Sequence, residues 1–263
     1  MLDALRVAAG DALLDTHVDA DHHRCVLTMA AADATFAARS LLLARVALDL
    51  IDMRTHQGAH PRLGALDVVP FAPLRGASLD AAIATRDAVV DGLGSLGIPA
   101  FRFGPLADGT SRSLPELRRR AFVDLLPDAG PPSPHATAGA TAVGARLPLV
   151  AWNAWVQGAS LGETRRIAEA VRSEHVRALG LQVRGATQVS CNLVDPIVAT
   201  PLDVYAQIES LLPAGAHVVR CELVGLVPAG VLEAVAESWW ARLDLAEDRA
   251  VEPAAARIGV EAD

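Results

Sequence analysis

The sequence predicts an α/β protein of the α+β kind: two ferredoxin-like βαββαβ-type subdomains in tandem, the first lacking its initial strand. Three observations carry this. Short apolar runs alternate with longer runs of helical period through the second half. The first half repeats most of that order. Between them, residues 127–139 (PDAGPPSPHATAG) are rich in Pro, Gly, Ala and Ser. A chain of 263 residues allows one large domain or two small ones, each able to bury a core.

Residues 1–9 read as a helix, and residues 12–18 and 24–30 as paired strands. Residues 34–51 form a long helix. Residues 66–71 are a strand that Pro70 and Pro73 confine to an edge or a strand end. Ser78 caps the next helix, with Leu79, Ile83, Val90 and Leu93 on one face and Gly94 as its stop. Residues 98–103 add a strand. A strand before the first helix is missing, and an unfilled place in a sheet is costly. Either the start codon is misplaced or the gap is closed another way.

The second half is clearer. Residues 149–156 form an apolar strand. Ser160 stands three before Glu163 in a capping box, and Leu161, Ile167, Ala168 and Val171 line the following helix. Residues 179–183 and 188–194 are strands joined by a turn at Gly185. Thr200 and Pro201 are an N-cap and a proline at the first helical position, before a stripe of Val204, Ile208, Leu211 and Leu212. Residues 217–226 return as a strand, ended by Gly225 and Pro228, completing βαββαβ. Trp239 and Trp240 are expected to cap the core.

Composition sets limits. Hydrophobic residues make up 52% of the chain, which rules out disorder. The most apolar stretch, residues 30–51, is broken by Asp33, Arg39, Arg45 and Asp49, so no membrane span is expected. No basic-then-apolar leader opens the chain, which predicts a cytoplasmic protein. The net charge of −8 argues against nucleic acid as a partner. All 23 basic residues are arginine, which excludes a Walker A lysine and any lysine nucleophile, base or Schiff base. Cys25, Cys191 and Cys221 are scattered thiols expected to act as small hydrophobes.

The densest polar cluster is residues 51–67, IDMRTHQGAHPRLGALD. His56 and His60 are four apart, the helical spacing of zinc ligands. However, Gln57 replaces the glutamate of H-E-x-x-H, and Gly58, Pro61 and Gly64 are turn residues. A loop is the better reading, and spacing alone leaves either a polar site or two surface histidines. Residues 15–24 (DTHVDADHHR) fit a solvated hairpin loop better than a metal site. Asn192 and Asp195 either orient a ligand or make a strand-end hydrogen bond. Residues 127–139 read as a linker or as a wall of a ligand cleft.

IDMRTHQGAHPRLGALDVVPFAPL resembles the signature of the glutamate formiminotransferase family. DADHHRCV is similar to that family's Asp-x-Asp-His-Asn-Arg-Ser-Val segment, and GPPSPHATAGATAVGAR to its folate-loop segment. QVSCNLVD and CELVGLVP match two strands of its second subdomain. The segments come in family order and cover nearly the whole chain. This sequence has Ala59 where the family has glutamate, His23 for asparagine and Ala138 for tryptophan. It also lacks the family's Val-Pro-Asn-Phe-Ser-Glu-Gly strand and its Gly-Trp-Tyr.

The resemblance implies transfer of a formimidoyl group between N-formimidoyl-L-glutamate and N5 of tetrahydrofolate in histidine degradation. It implies tetrahydrofolate as co-substrate, no metal and a homodimer. The family's catalytic histidine corresponds to His60, and its folate loop to residues 130–139, with Gly130, Pro131, Ser133 and Gly139 matching. Arg62 suits a substrate carboxylate, and Arg24 and Asn192 are further candidate substrate contacts. Residues 1–148 would be the subdomain with the histidine and the folate loop, and residues 149–263 its companion. No cyclodeaminase domain is expected to follow. The alternatives are a formyl-transferring relative and a non-catalytic folate or glutamate binder.

Overall fold

The structure, a computed structural model, describes residues 1–20, 23–31, 33–57, 62–74, 76–183 and 185–260. In chain order the elements are α1 (Leu2–Ala9), β1 (Leu13–Asp19), β2 (Arg24–Met29), α2 (Asp33–Leu50), β3 (Val68–Phe71), α3 (Leu79–Ser95), β4 (Ala100–Pro105), β5 (Ser111–Arg112), α4 (Leu114–Arg120), β6 (Thr141–Ala145), β7 (Val150–Gln157), α5 (Leu161–Ala170), β8 (Val176–Val183), β9 (Ala186–Leu193), α6 (Pro201–Leu211) and β10 (His217–Val224). Short helical turns follow. The chain falls into two compact units, one mainly Met1–Leu13 with Met29–Leu147, the other Leu14–Thr28 with Pro148–Arg257. The β1–β2 hairpin, early in sequence, therefore belongs with the second unit. None of the helices, among the described residues, is long and apolar enough to cross a membrane.

The second unit has the split βαββαβ order. Its sheet runs β10-β7-β9-β8 with every neighbour antiparallel. Both helices begin as their sequences dictate. Ser160 and Glu163 form a reciprocal capping box, and Thr200 does the same with Asp203 ahead of Pro201. One sheet face, with Trp152, Ala154, Val189, Cys191 and Leu223, packs with Ile167 and Ile208 of the helices in one core. Gly180 permits this closeness: a Cβ there would lie 2.6 Å from the backbone of Arg165 in α5. Burial pushes the Cys191 and Cys221 thiols up to about 12, so both stay protonated hydrophobes. Trp152 Nε1 donates to Leu243 O at 2.9 Å, and Trp240 packs on the core. Trp239 instead tilts against Tyr205 at 5.8 Å and is half-exposed.

The first unit repeats the supply of elements but pairs them differently. Its sheet runs β3-β6-β4-β5, with β3, β6 and β4 mutually parallel and β5 antiparallel on β4. Parallel neighbours need crossovers, and α3 and the α4 segment supply them. β3, carrying Pro70, is an edge strand as its prolines require. Val89, Val90 and Leu93 of α3 pack with Phe71, Ile98 and Val143, and Phe36 meets Phe71 edge-on at 5.3 Å.

Three elements of this unit, the two-residue β5, α4 and β6, escaped the sequence reading. β6 is fully buried between β3 and β4 but consists of TAVGA, with little bulky apolar content to mark it. Its smallness is required, because a Cβ on Gly144 would lie 2.2 Å from the ring of Phe103. α4 opens on Ser113, whose side chain accepts the Glu116 N–H, with Pro115 in the first turn.

Candidate functional site

His60 lies outside the described residues, with Gly58, Ala59 and Pro61. Described residues flank that segment on both sides. Upstream, the Asp52 carboxylate accepts the Arg54 backbone N–H at 2.9 Å and its guanidinium at 2.6 and 3.0 Å. Those bonds hold Asp52 below the usual carboxylate range. Met53 N–H donates to Thr137 O at 2.7 Å, the first tie between this segment and the 130–139 stretch.

Downstream, Arg62 Nη1 donates to Nε2 of His56. The His56 imidazole is thus engaged by Arg62. Leu63 N–H donates to Asp67 Oδ1 at 2.6 Å. Asp67 is paired through both oxygens with Arg118 of α4, at 3.2 Å on the Oδ1 side. Asp67 thus fastens the start of the segment and α4 to the foot of β3. Neither Asp67 nor Arg118 was singled out from the sequence.

The 130–139 stretch meets this segment backbone to backbone. Gly64 and Gly139 form an antiparallel bridge. Ala65 N–H donates to Ala138 O at 2.9 Å, and Ala140 N–H donates to Leu63 O at 3.0 Å. The stretch then closes on itself. His135 and Gly139 exchange backbone hydrogen bonds of 2.8 and 2.9 Å, and His135 Nδ1 accepts Ala138 N–H at 3.1 Å. Gly130 sits at φ 85°, where a Cβ would meet Ile98 O at 2.5 Å. Pro131 and Ser133 are exposed between these anchors. The structure therefore brings Arg62 and the 130–139 stretch onto one seam, and His135 is a member that sequence reasoning missed.

Arg24 and Asn192 belong to the second unit. Arg24 opens β2 with its Nε buried and without a hydrogen-bond partner among the described residues. His23, just before it, sits at φ 50°, a left-handed position that suits asparagine. Asn192 lies in β9 between Ala151 of β7 and Arg177 of β8, on the sheet face away from the helices. Asp195 makes strand-end bonds, its Oδ1 accepting Val198 N–H at 3.4 Å. The same face also carries Glu222, whose Oε2 accepts Asn153 Nδ2 at 3.2 Å and Trp155 Nε1 at 3.0 Å. His17 Nε2 stands 3.8 Å from its other oxygen. A shallow cavity of about 440 Å³ at the end of this sheet is lined by Gln157, Ser160 and Gln182 and contains none of the candidate residues.

Residues 1–146 match the family description "Formiminotransferase domain, N-terminal subdomain". The chain is 33% identical over 250 residues to a glutamate formimidoyltransferase of Streptococcus pyogenes serotype M1, covering 87% of this chain and 83% of that one. It is 32% identical over 252 residues to a glutamate formimidoyltransferase of Thermoplasma acidophilum, covering 86% and 81%. To a formimidoyltransferase-cyclodeaminase of Rattus norvegicus it is 34% identical over 258 residues, covering 87% of this chain and 47% of that one. It thus spans about half the length of that relative.

Proposed function

The chain belongs to the formiminotransferase family, and on that premise we propose that it transfers a formimidoyl group between N-formimidoyl-L-glutamate and N5 of tetrahydrofolate, with His60 handling the proton. The supporting observation is the seam of Gly64 and Gly139, which ties the segment that directly follows Arg62 to the 130–139 stretch. Histidine degradation is the pathway and the cytoplasm the compartment this reading assigns. It takes tetrahydrofolate as co-substrate and a homodimer as the working state, and residues 1–148 and 149–263 as the two subdomains.

N5 attacks the amidine carbon and gives a tetrahedral intermediate. The bond from that carbon to the glutamate nitrogen then breaks. His60 accepts the proton that N5 loses and returns one to the departing amine. An imidazole with a reference pKa of about 6.5 does both near neutrality with little tuning. Arg62 holds a substrate carboxylate through its planar fork, since Arg–carboxylate pairs are bidentate and the protein as a whole is acidic. Gly130, Pro131, Ser133 and Gly139 contact folate chiefly through backbone groups, because the side chains of that stretch are small. Arg24 and Asn192 serve as substrate contacts in the second unit.

A coupled assay with formimidoylglutamate and tetrahydrofolate, run beside formylglutamate, tests the reading. Turnover of the formimidoyl donor is expected. Turnover of the formyl donor alone would reassign the donor. Saturable folate binding without either turnover would make the protein a binder.

A further inference from the structure

Asp128 stands just ahead of the 130–139 stretch, and its carboxylate is bonded to two arginines. Its Oδ2 accepts the Arg102 backbone N–H at 2.7 Å and Arg112 Nη1 at 3.0 Å. Arg112 Nη1 also donates to Arg102 O at 3.1 Å, so β5 is clipped to β4 beside the same carboxylate. Arg102 in turn is held from α3, its Nε bonded to Asp87 at 2.7 Å and its Nη2 to Asp91 at 3.2 Å. The Asp128 and Ala129 N–H groups both donate to Ala100 O, at 2.9 and 3.2 Å, and Ala129 O accepts Ala100 N–H at 2.9 Å. Gly130 then turns the chain at φ 85°. The end of α3 closes on the same point, where a Cβ on Gly94 would lie 2.8 Å from both Ala129 Cβ and Gly130 N. All of these groups belong to the first unit.

We propose that Asp128 is a positioning residue for tetrahydrofolate, fixing where and in which direction the 130–139 stretch leaves β4; this rests on the transferase reading above. The exposed residues that follow Gly130 are PPSP, residues 131–134. Prolines fix φ near −65° and stiffen the chain, so an angle set at Gly130 is carried forward rather than lost in a flexible loop. Proline also lacks an N–H, so Pro131, Pro132 and Pro134 supply no donors to anchor the stretch from within. The anchoring falls to the residues ahead of them. Both bonds to Asp128 are charge-assisted, a class about twice as strong as neutral hydrogen bonds. The Asp128 side chain is 21% exposed and that of Arg112 16%, so solvent screens the pair less than it would a surface pair. Its partners lie in β4 and β5, so Asp128 acts on the ligand through the chain that follows it.

The test is Asp128→Asn, which keeps the shape and an acceptor oxygen and removes the charge. Its KM for tetrahydrofolate should rise roughly 5–20-fold while kcat stays within about twofold of the wild type, the pattern of lost binding rather than lost chemistry. The KM for formimidoylglutamate should not change. Without ligand, amide exchange at residues 128–130 should quicken in the variant while residues 63–65 keep the wild-type rate. Arg112→Gln removes one partner of the carboxylate, should give a smaller change of the same kind, and is read by the same measurements if Asp128→Asn does not fold. Asp91→Asn is the control, since Asp91 pairs with Arg102 from α3 and its side chain is 74% exposed. Its folate KM should match the wild type. An equal rise in Asp91→Asn would show general loosening of the unit and overturn the proposal, as would equal rises in KM for both substrates. If the wild type neither turns over nor binds tetrahydrofolate, the transferase reading falls first; if the wild type is active and Asp128→Asn keeps its folate KM, this inference alone falls.

Discussion

Gly64 and Gly139 face one another across an antiparallel bridge in which neither can carry a side chain. A Cβ on Gly64 would lie 2.2 Å from Ala138 O, and a Cβ on Gly139 would lie 2.2 Å from Leu63 O. The obstructing atoms are backbone on both sides, so no rotamer relieves the clash. Gly139 also sits at φ 69°, where a side chain adds strain. Gly139→Ala should open the seam, speed amide exchange at residues 63–65 and raise the KM for tetrahydrofolate. Gly109→Ala is the control, since Gly109 shares a positive φ but has nothing within 4 Å of its Cβ position. Equal effects of the two variants would mean that strain, not the seam, is being measured.

The 130–139 stretch should become ordered on folate. It is pinned at Gly130, His135 and Gly139, while residues 131–134 between the pins are exposed. Hydrogen exchange across residues 130–139 should slow at saturating tetrahydrofolate, and formimidoylglutamate alone should leave it unaltered. His135→Ala removes the acceptor that takes the Ala138 N–H and should loosen the stretch before any ligand is added. No protection at saturating folate would reduce the stretch to a linker.

Stability in the first unit draws on a carboxylate paired with two arginines. Asp87 accepts from the buried Arg86 guanidinium at 3.0 and 3.2 Å and from Arg102 at 2.7 Å. Burial alone would raise its pKa, but the two arginines outweigh that and hold it below the usual carboxylate range. A depressed folded-state value means that the stabilisation is present above the unfolded pKa of about 3.9 and is lost as the pH falls through the folded value. Asp87→Asn should therefore cost about 2–4 kcal/mol at neutral pH. This is less than for a fully buried pair, because the Asp87 side chain is 39% exposed. Urea unfolding at pH 7 and pH 3 should show the gap between variant and wild type narrowing in acid.

The fold and the site differed in how far the sequence exposed them. Caps were legible because their chemistry is local: Ser78, Ser160 and Thr200 each accept the backbone N–H three residues on. β6 was not, because its place between two parallel strands selects small residues and so erases the apolar signal of a buried strand. The same tertiary choice explains why the first unit pairs in parallel although its elements echo the second. Polar candidates in 51–67 stood out by density, and spacing could not rank His56 against His60. In TQVSCNL the alternation that sets Gln188, Ser190 and Asn192 on one face was readable, whereas the burial of Gln188 depends on what packs over that face.

The two histidines are separable by mutation. His56 is already occupied, its Nε2 taken by Arg62. Removing it deletes the contact with Arg62, so His56→Ala should act through substrate binding and raise the KM for formimidoylglutamate with a small change in kcat. His60 has a different assignment, the proton passed from N5 to the leaving amine. His60→Ala should lower kcat roughly 10²–10⁴-fold while folate affinity stays near that of the wild type. The substitution adds no charge, so the loss reports the proton step rather than a new repulsion. Full turnover by His60→Ala would remove His60 from the mechanism. A larger kcat loss in His56→Ala than in His60→Ala would move the proton to the imidazole that Arg62 contacts.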